Sequence, residues 1–450
     1  MSLNRIAIVA LVVVTAGPLA AQQPASRQPA VLFEGVTFIP MDGENTTTVS
    51  RDRSVLVSNG LITEVGAAGA KAPEGAIRVD GRGKFLMPAL AEMHAHIPND
   101  AAEAERVLFM YVANGIGTIR SMLGDPSHVR LRDRVRRAEI AGPAMILSGP
   151  SFNGQTAATP AAAAARVAEQ QKAGYDFLKI HPGIPLTAFT ALAAAADKAS
   201  IRFAGHVPAD VGVQRALQLK FWTIDHLDGY VEALAGPRAP ASQNFGVNLM
   251  SHIDESRIAA LAAETKAAGV WNVPTQILLE NWYGPDPAET MQKRAEMQYV
   301  RASEAAQWVA TKRSNDASVS AKDRARFIAV RRRLIKALQD AGAGLLLGSD
   351  APQVWNVPGF SIHRELASYV AAGLTPYQAL ATGTRNVAAH LGKQEPRFSL
   401  RDVDRANLIL LDANPLENVA NASRIAGVLI SGRWIPKAEI DRRLADVKPR

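Results

Sequence analysis

The chain has 450 residues, 48% hydrophobic and 20% charged, a balance that suits a well-packed globular protein and not a disordered or fibrous one. Cysteine is absent, which excludes a disulfide framework, a thiolate zinc site and a cysteine nucleophile; any metal must sit on histidine, carboxylate or a modified lysine. The formal charge is +8, yet there is no RNA-binding aromatic signature and no basic recognition helix, so the excess reads as ordinary surface charge and no nucleic-acid partner is expected.

Taken in chain order, Arg5 precedes an apolar run from Ile6 to Ala16, and Ala20 and Ala21 stand just before Gln22. That order of charged, apolar and small residues is that of a secretory signal over residues 1–21, with a run too short for a membrane span. The expectation is an exported protein, periplasmic or extracellular, with no membrane association after cleavage. Residues 22–29 are rich in Pro and Gln and read as a disordered leader. Short β patterns follow at Val31–Phe38, Ser54–Ser58 and Leu61–Val65, with the hairpin signal Asn59-Gly60 between the last two. Asp80-Gly81 marks a turn before Lys84–Met87. The same texture returns at Asn407–Asp412 and at Ile425–Ser431 with Gly432-Arg433-Trp434. The two ends, 30–86 and 394–440, therefore predict one small composite β-sandwich.

Between them, residues 87–393 alternate short apolar strands with helical stretches rich in Ala, Leu, Arg and Glu, the pattern of an α/β fold. Candidate strands are Leu90–His94, Gly117–Ser121, Ala144–Ser148, Phe177–Ile180, Arg202–His206, Trp222–His226, Val270–Thr275 and Leu345–Asp350. Eight such units predict a TIM (β/α)8 barrel, which absorbs most of this length as one domain. A charged helical insertion is expected at about residues 280–330, over the barrel mouth.

His94-Ala95-His96 ends the first barrel strand, and alternate residues on a strand point the same way, so both imidazoles can face one metal. Lys179, His206, His226 and Asp350 stand at or near the C-terminal ends of four further strands. In a barrel those ends open on one face, so metal-competent side chains at five of them are hard to attribute to core packing.

The order His-x-His, Lys, His, His, Asp resembles the binuclear branch of the amidohydrolase superfamily, and the flanks look closest to its imidazolonepropionase-like and prolidase-like members. The resemblance rests on Gly83-Lys84 through Met87-Pro88-Ala89-Leu90-Ala91-Glu92-Met93-His94-Ala95-His96, on Gly348-Ser349-Asp350, on His363-Arg364-Glu365-Leu366 through Gly373-Leu374-Thr375-Pro376, and on Ala406-Asn407-Leu408 through Asp412-Ala413-Asn414-Pro415-Leu416. Ala89 and Glu92 depart from the usual Gly and Asp; neither is an expected ligand, and Glu92 keeps its strand face and can support the site. The resemblance implies two divalent metal ions, with zinc the leading choice: His94 and His96 on one, His206 and His226 on the other, and a carbamylated Lys179 bridging them. It further implies that Asp350 takes a proton from the bridging water and passes it to the leaving amine.

The implied function is hydrolysis of a small-molecule amide or dipeptide, or of an N-acyl amino acid. A cyclic amide or lactone hydrolase and a detoxifying amidase stay open on the same site. An exported binding protein with a vestigial site is the non-enzyme alternative, and the complete ligand set speaks against it. A homo-oligomer is left open. Tyr230, four residues after His226, and His181, two after Lys179, are candidate substrate contacts. Trp282, Tyr283 and Trp355 are candidates for an aromatic wall, each equally readable as packing. Arg294, Arg301, Arg313 and Arg331 give the insertion a basic character that could steer a carboxylate.

Overall fold

In the computed structural model of the chain, residues 28–43, 49–392 and 406–449 are described; the expected signal segment and most of the leader lie outside them. The chain opens with β1 (Val31–Phe38), β2 (Ser50–Ser58), β3 (Leu61–Ala67), β4 (Ile77–Asp80) and β5 (Phe85–Pro88). It continues through β6 (Leu90–Ala95), β7 (Ile116–Ser121), β8 (Ala144–Leu147), β9 (Phe177–Ile180), β10 (Arg202–Gly205), β11 (Thr223–Asp225) and β12 (Trp271–Val273), each of the first six followed by helix. It returns with β13 (Leu408–Leu411), β14 (Ile425–Ile430) and β15 (Arg433–Pro436).

The terminal strands form one sheet in the order β15-β14-β13-β5-β1-β2-β3, with β4 also against β1. Asn59 and Gly60, both at positive φ, turn β2 into β3, with Ser58 opposite Leu61 as a two-residue hairpin requires. β1 pairs with β4 through Val31–Glu34 and with β5 through Thr37 and Phe38, so the sheet divides along this strand. Phe33 then meets Trp434 edge-on at 5.2 Å, although β1 and β15 stand four places apart. The sheet curls over a core of Val31, Phe33, Val55, Leu86, Leu408 and Leu429. The expected β-sandwich is carried that far: both ends of the chain build one curled sheet on a shared core.

The middle of the chain is a TIM-barrel-like α/β fold. β6, β7 and β8 form one parallel sheet and β9 to β12 another. The regular ladders do not close; isolated parallel bridges, Ser148 to Phe177, Asn272 to Leu345 and Ala95 to Ala351, carry the order between them. Met93, Ile146, Phe177, Ala204, Trp222, Val273 and Leu346, from successive strands, pack together at the centre. The helices start on local signals. Thr159, for instance, accepts the Ala162 N–H at 3.2 Å and Pro160 follows at the first helical position.

The eighth expected strand, 345–350, is extended but not a regular strand. Its Leu347 carbonyl accepts from Met93, yet its Ser349 N–H goes to the Glu92 carboxylate instead of to backbone. A side-chain acceptor thus interrupts the ladder where Asp350 must turn. The expected insertion contains Ala302–Ser318 and the start of Ala321–Asp340, a helix that runs without a break into the barrel wall.

His363, in the helix Phe360–Ala371, faces the Asn114 carbonyl at the end of the helix Ala101–Ala113, with Nε2 at 3.2 Å. Burial pushes its pKa down to about 4. Between pH 6.5 and about 4 the unfolded chain binds a proton there that the folded chain refuses, so its contribution is whole above 6.5 and is lost as pH falls through 4. Allowing for the solvent contact this ring keeps, the loss is about 2 kcal/mol. His363→Gln should flatten the stability profile over that window by this amount in urea titrations at pH 7, 5.5 and 4.5; parallel profiles would refute the assignment.

Candidate metal centre

β6 presents His94, and the chain leaves the strand through His96. Glu92, fully buried, accepts the N–H groups of His94 and Ser349, each at 2.9 Å, and the Ser349 hydroxyl. One carboxylate thereby ties the His94 strand to the segment that carries Asp350. Burial pushes the Glu92 pKa up to about 8 against these hydrogen bonds.

His226, Thr275 and Asp350 all have positive φ, 61°, 45° and 64°, a region that side chains with a Cβ enter only when the surroundings compel it. Arg331 supplies part of that compulsion. From the helix Ala321–Asp340 its guanidinium donates to the carbonyls of His226 (2.7 Å) and Pro274 (2.9 Å) and to Gln276 Oε1 (3.0 Å). Glu365 accepts the N–H groups of Gln276 and Ile277 at 2.8 and 2.6 Å, capping the helix Gln276–Tyr283. The turn between is fixed from both sides, and Thr275 Oγ1 meets His226 Nδ1 at 2.8 Å.

Five imidazoles lie in a row. Ring centroids are 5.5 Å apart for His96 and His94, 4.5 Å for His94 and His226, 4.5 Å for His226 and His206, and 5.0 Å for His206 and His181. Asp350 reaches into the row: its Oδ1 is 2.7 Å from His96 Nε2 and 3.7 Å from His94 Nε2, and its Oδ2 is 3.9 Å from His226 Nδ1. The tightest trio is His94, His226 and Asp350, with one ligand atom from each within 4.8 Å of the others. It takes one histidine from each of the two expected pairs.

Two of the rings are held by a hydrogen-bonded oxygen at Nδ1, His206 by Asp228 (2.7 Å) and His226 by Thr275 (2.8 Å), and Asp225 stands 2.9 Å from His94 Nδ1 without hydrogen-bond alignment. That leaves each Nε2 for a ligand, the arrangement usual at metal-binding histidines. Asp225 is fixed in turn by Thr223 Oγ1 and by Arg120, whose Nε also donates to the Met93 carbonyl. Lys179 is completely buried on β9, and neither its Nζ nor His226 Nε2 has a hydrogen-bond partner among the described residues. Gly205 makes room for the lysine stem: a Cβ there would lie 3.0 Å from Lys179 Cδ and 2.5 Å from the Ile180 carbonyl.

The electrostatics agree with that geometry. Burial, then neighbouring positive charge, holds His206 at about 3, and burial takes His94 and His226 well below the usual range, so all three are neutral. Neutral imidazole is the form a metal ion requires. Burial alone would raise Asp350, but His94 and His96 hold it well below the usual carboxylate range. Burial also lowers Lys179, which favours the uncharged amine. A donor set of neutral imidazoles, an ionised carboxylate and a partnerless buried amine fits a divalent-metal centre.

His181 sits at the end of the row, half-buried, its pKa driven down to about 3 by burial, Lys179 and His206. Tyr230 is a correction. It is fully buried, and its hydroxyl is paired with Thr265 Oγ1 at 2.9 Å, joining two helices instead of meeting substrate. Tyr283 and Trp355 are core residues, against Phe327 and Trp308; only Trp282 stays near the row, through Phe245. The basic residues divide: Arg331 is buried in the turn and Arg294 donates to Asn281, while Arg313, paired with Glu289, and Arg301, near Glu304, stay exposed. Sequence reasoning missed Asp225, Asp228, Thr275, Arg120 and Phe245. The first two flank His226 closely enough to have been suspected as its supporting carboxylates; the others carry no local signal.

A family model described as the amidohydrolase family matches residues 85–435. A bottromycin amidohydrolase structure is similar at 23% identity and a TM-score of 0.72, over 94% of this chain and 92% of that one. A putative prolidase from Bifidobacterium longum aligns at 22% identity and 0.64, over 94% and 99%. A Xaa-Pro dipeptidase with bound methionine aligns at 18% and 0.64, over 91% and 100%. Among curated proteins no relative matches.

Thr275→Val keeps the branched shape and removes only the hydroxyl on His226. Metal affinity, read by competition with a chromogenic chelator, should fall by about 10- to 100-fold with the circular dichroism unchanged. Unchanged affinity would separate this hydroxyl from the centre.

Proposed function

The chain belongs to the amidohydrolase family and is a hydrolase acting on carbon–nitrogen bonds, and on that premise we propose that it cleaves a dipeptide or an N-acyl amino acid with two zinc ions and a carbamylated Lys179. The observation that carries the reading is the buried Lys179 amine, partnerless beside a row of neutral imidazoles. His94, His96, His206, His226 and Asp350 would hold the ions, with Lys179, once carbamylated by CO2, as an anionic bridge. Bound there, the ions supply a water acidic near neutral pH and polarise the scissile carbonyl.

Asp350, ionised and set against His96, accepts the proton of the attacking water and returns it to the leaving nitrogen, which departs as an amine. Asp228 and Thr275 keep the His206 and His226 imidazoles turned to the centre. His181, neutral at the end of the row, is placed to exchange a hydrogen bond with a polar group of the substrate. The likeness to a prolidase and a Xaa-Pro dipeptidase supports the choice of substrate class. We further propose export to the periplasm or outside the cell, on the Arg5 to Ala21 pattern, and a division into the composite β unit and the barrel with its insertion.

Elemental analysis of the purified protein should find about two divalent ions per chain, and chelation should abolish cleavage of the dipeptide library. Bicarbonate should speed metal loading of the apoprotein in the parent chain and not in Lys179→Ala. Loading indifferent to bicarbonate, or activity that survives in Lys179→Ala, would remove the bridging role. No cleavage by fully loaded protein would overturn the substrate class.

A further inference from the structure

The segment Asn244–His252 crosses beside His226 with an unusual backbone. Asn244, Phe245 and Gly246 lie in succession at φ of 48°, 62° and 84°. Gly246 suits that region and Asn244 tolerates it, but a bulky Phe is a genuine outlier there. The segment is pinned on each side. Asn248 Oδ1 accepts the Gln243 N–H at 2.8 Å, and its Nδ2 donates to the Ala241 carbonyl at 2.9 Å. A Cβ at Gly246 would come within 2.6 Å of Val231, so the backbone is pressed down and cannot shift inward. Val247, Leu249 and Met250 are buried beneath.

Phe245 is held against its backbone preference, yet it is not buried in exchange. It stays half-buried, its ring 5.6 Å from that of His226 and edge-to-face with Trp282 at 5.8 Å. Trp282, on the helix that begins after Thr275, is also half-buried, whereas its neighbour Tyr283 is fully packed away. Two partly open aromatic rings, inclined at 67° to one another, therefore stand beside a histidine of the centre. Backbone strain of this kind concentrates where a side chain is aimed at a ligand.

We infer that Phe245 and Trp282 form a specificity wall, which takes an apolar group, aromatic or branched aliphatic, attached next to the scissile carbonyl. The inference rests on the amide-hydrolase reading of the same site and adds the side-chain class. An acidic group there would lose water against two aromatic faces with nothing to replace it. A small group would leave the wall unfilled.

The test uses the metal-loaded full chain and two matched series, cleavable dipeptides and non-cleavable hydroxamates, each with Gly, Leu, Phe or Glu at the acyl position. The parent protein should favour Leu and Phe over Gly and Glu by about 10-fold or more in kcat/KM. Phe245→Ala should lose that preference, with kcat/KM for Leu and Phe falling to the level of Gly, and Phe245→Leu should keep it for Leu. A uniform fall on every substrate, or no side-chain preference in the parent, would overturn the wall. Calorimetry with the hydroxamates separates the two readings: selective binding without cleavage of any dipeptide would sink the substrate class and leave the wall standing. Non-selective binding would remove the wall.

Discussion

Lys179 is completely buried on β9, and its amine has no hydrogen-bond partner among the described residues. A charged ammonium in that position is expensive, because no hydrogen bond replaces the water it gives up and burial outweighs the pull of Asp225, Asp350 and Asp228. The amine is driven towards its neutral form, the form that reacts with an electrophile such as CO2. Everything around it is consistent with the same exclusion of water. His94, His206 and His226 are neutral for want of solvent, and Gly205 is small because the lysine stem passes where a side chain would stand.

A dry cluster of ligands is useful only if each donor is aimed, and the aiming here is done by groups one step further out. Asp228 and Thr275 fix the His206 and His226 rings, while Arg120 and Thr223 fix Asp225 beside His94. Positive φ at His226, Thr275 and Asp350 is the cost of turning sharply off the strand ends. That strain persists because Arg331 and Glu365 hold the Pro274–Ile277 turn from opposite sides. Glu92 does the same for the join between His94 and Ser349, where the extra methylene relative to Asp still lets one carboxylate serve both backbones.

The parts legible in the sequence are those with a period or a fixed spacing. Alternating strands and helices announced the barrel-like middle, and Asn59-Gly60 the first hairpin. His94-Ala95-His96 and the polar residues at later strand ends pointed to one face, and the structure brings all of them together. What the sequence could not give was orientation. Tyr230 follows His226 by four residues and opens the helix Tyr230–Ala235, yet its hydroxyl turns away to Thr265, a partner thirty-five residues on. Arg331 reads as one more cation in Arg331-Arg332-Arg333; only the helix phase places it inside, on the His226 carbonyl, while Arg333 faces outward to Glu255. Phe245 has no motif at all, since its importance lies in a backbone angle. The segment 345–350 was read as a strand from its apolar pattern, and the Glu92 side chain took the hydrogen bond that would have made it one.

The helix Ala321–Asp340 begins in the insertion proposed above and runs on past it without interruption, and its Arg331 closes on the backbone of a histidine at the centre. An insertion above a barrel is ordinarily a removable part, open to exchange between relatives while the scaffold beneath stays fixed. Here the seam between ornament and scaffold falls inside a single rigid rod. Length changes inside that rod are costly, since a one-residue deletion within it would turn its two ends relative to one another by about 100° and separate the phase of Arg331 from that of the residues on the other side. Diversification of this protein is channelled accordingly, towards substitution on the mouth-facing loops and away from lengthening or shortening the helix that carries them.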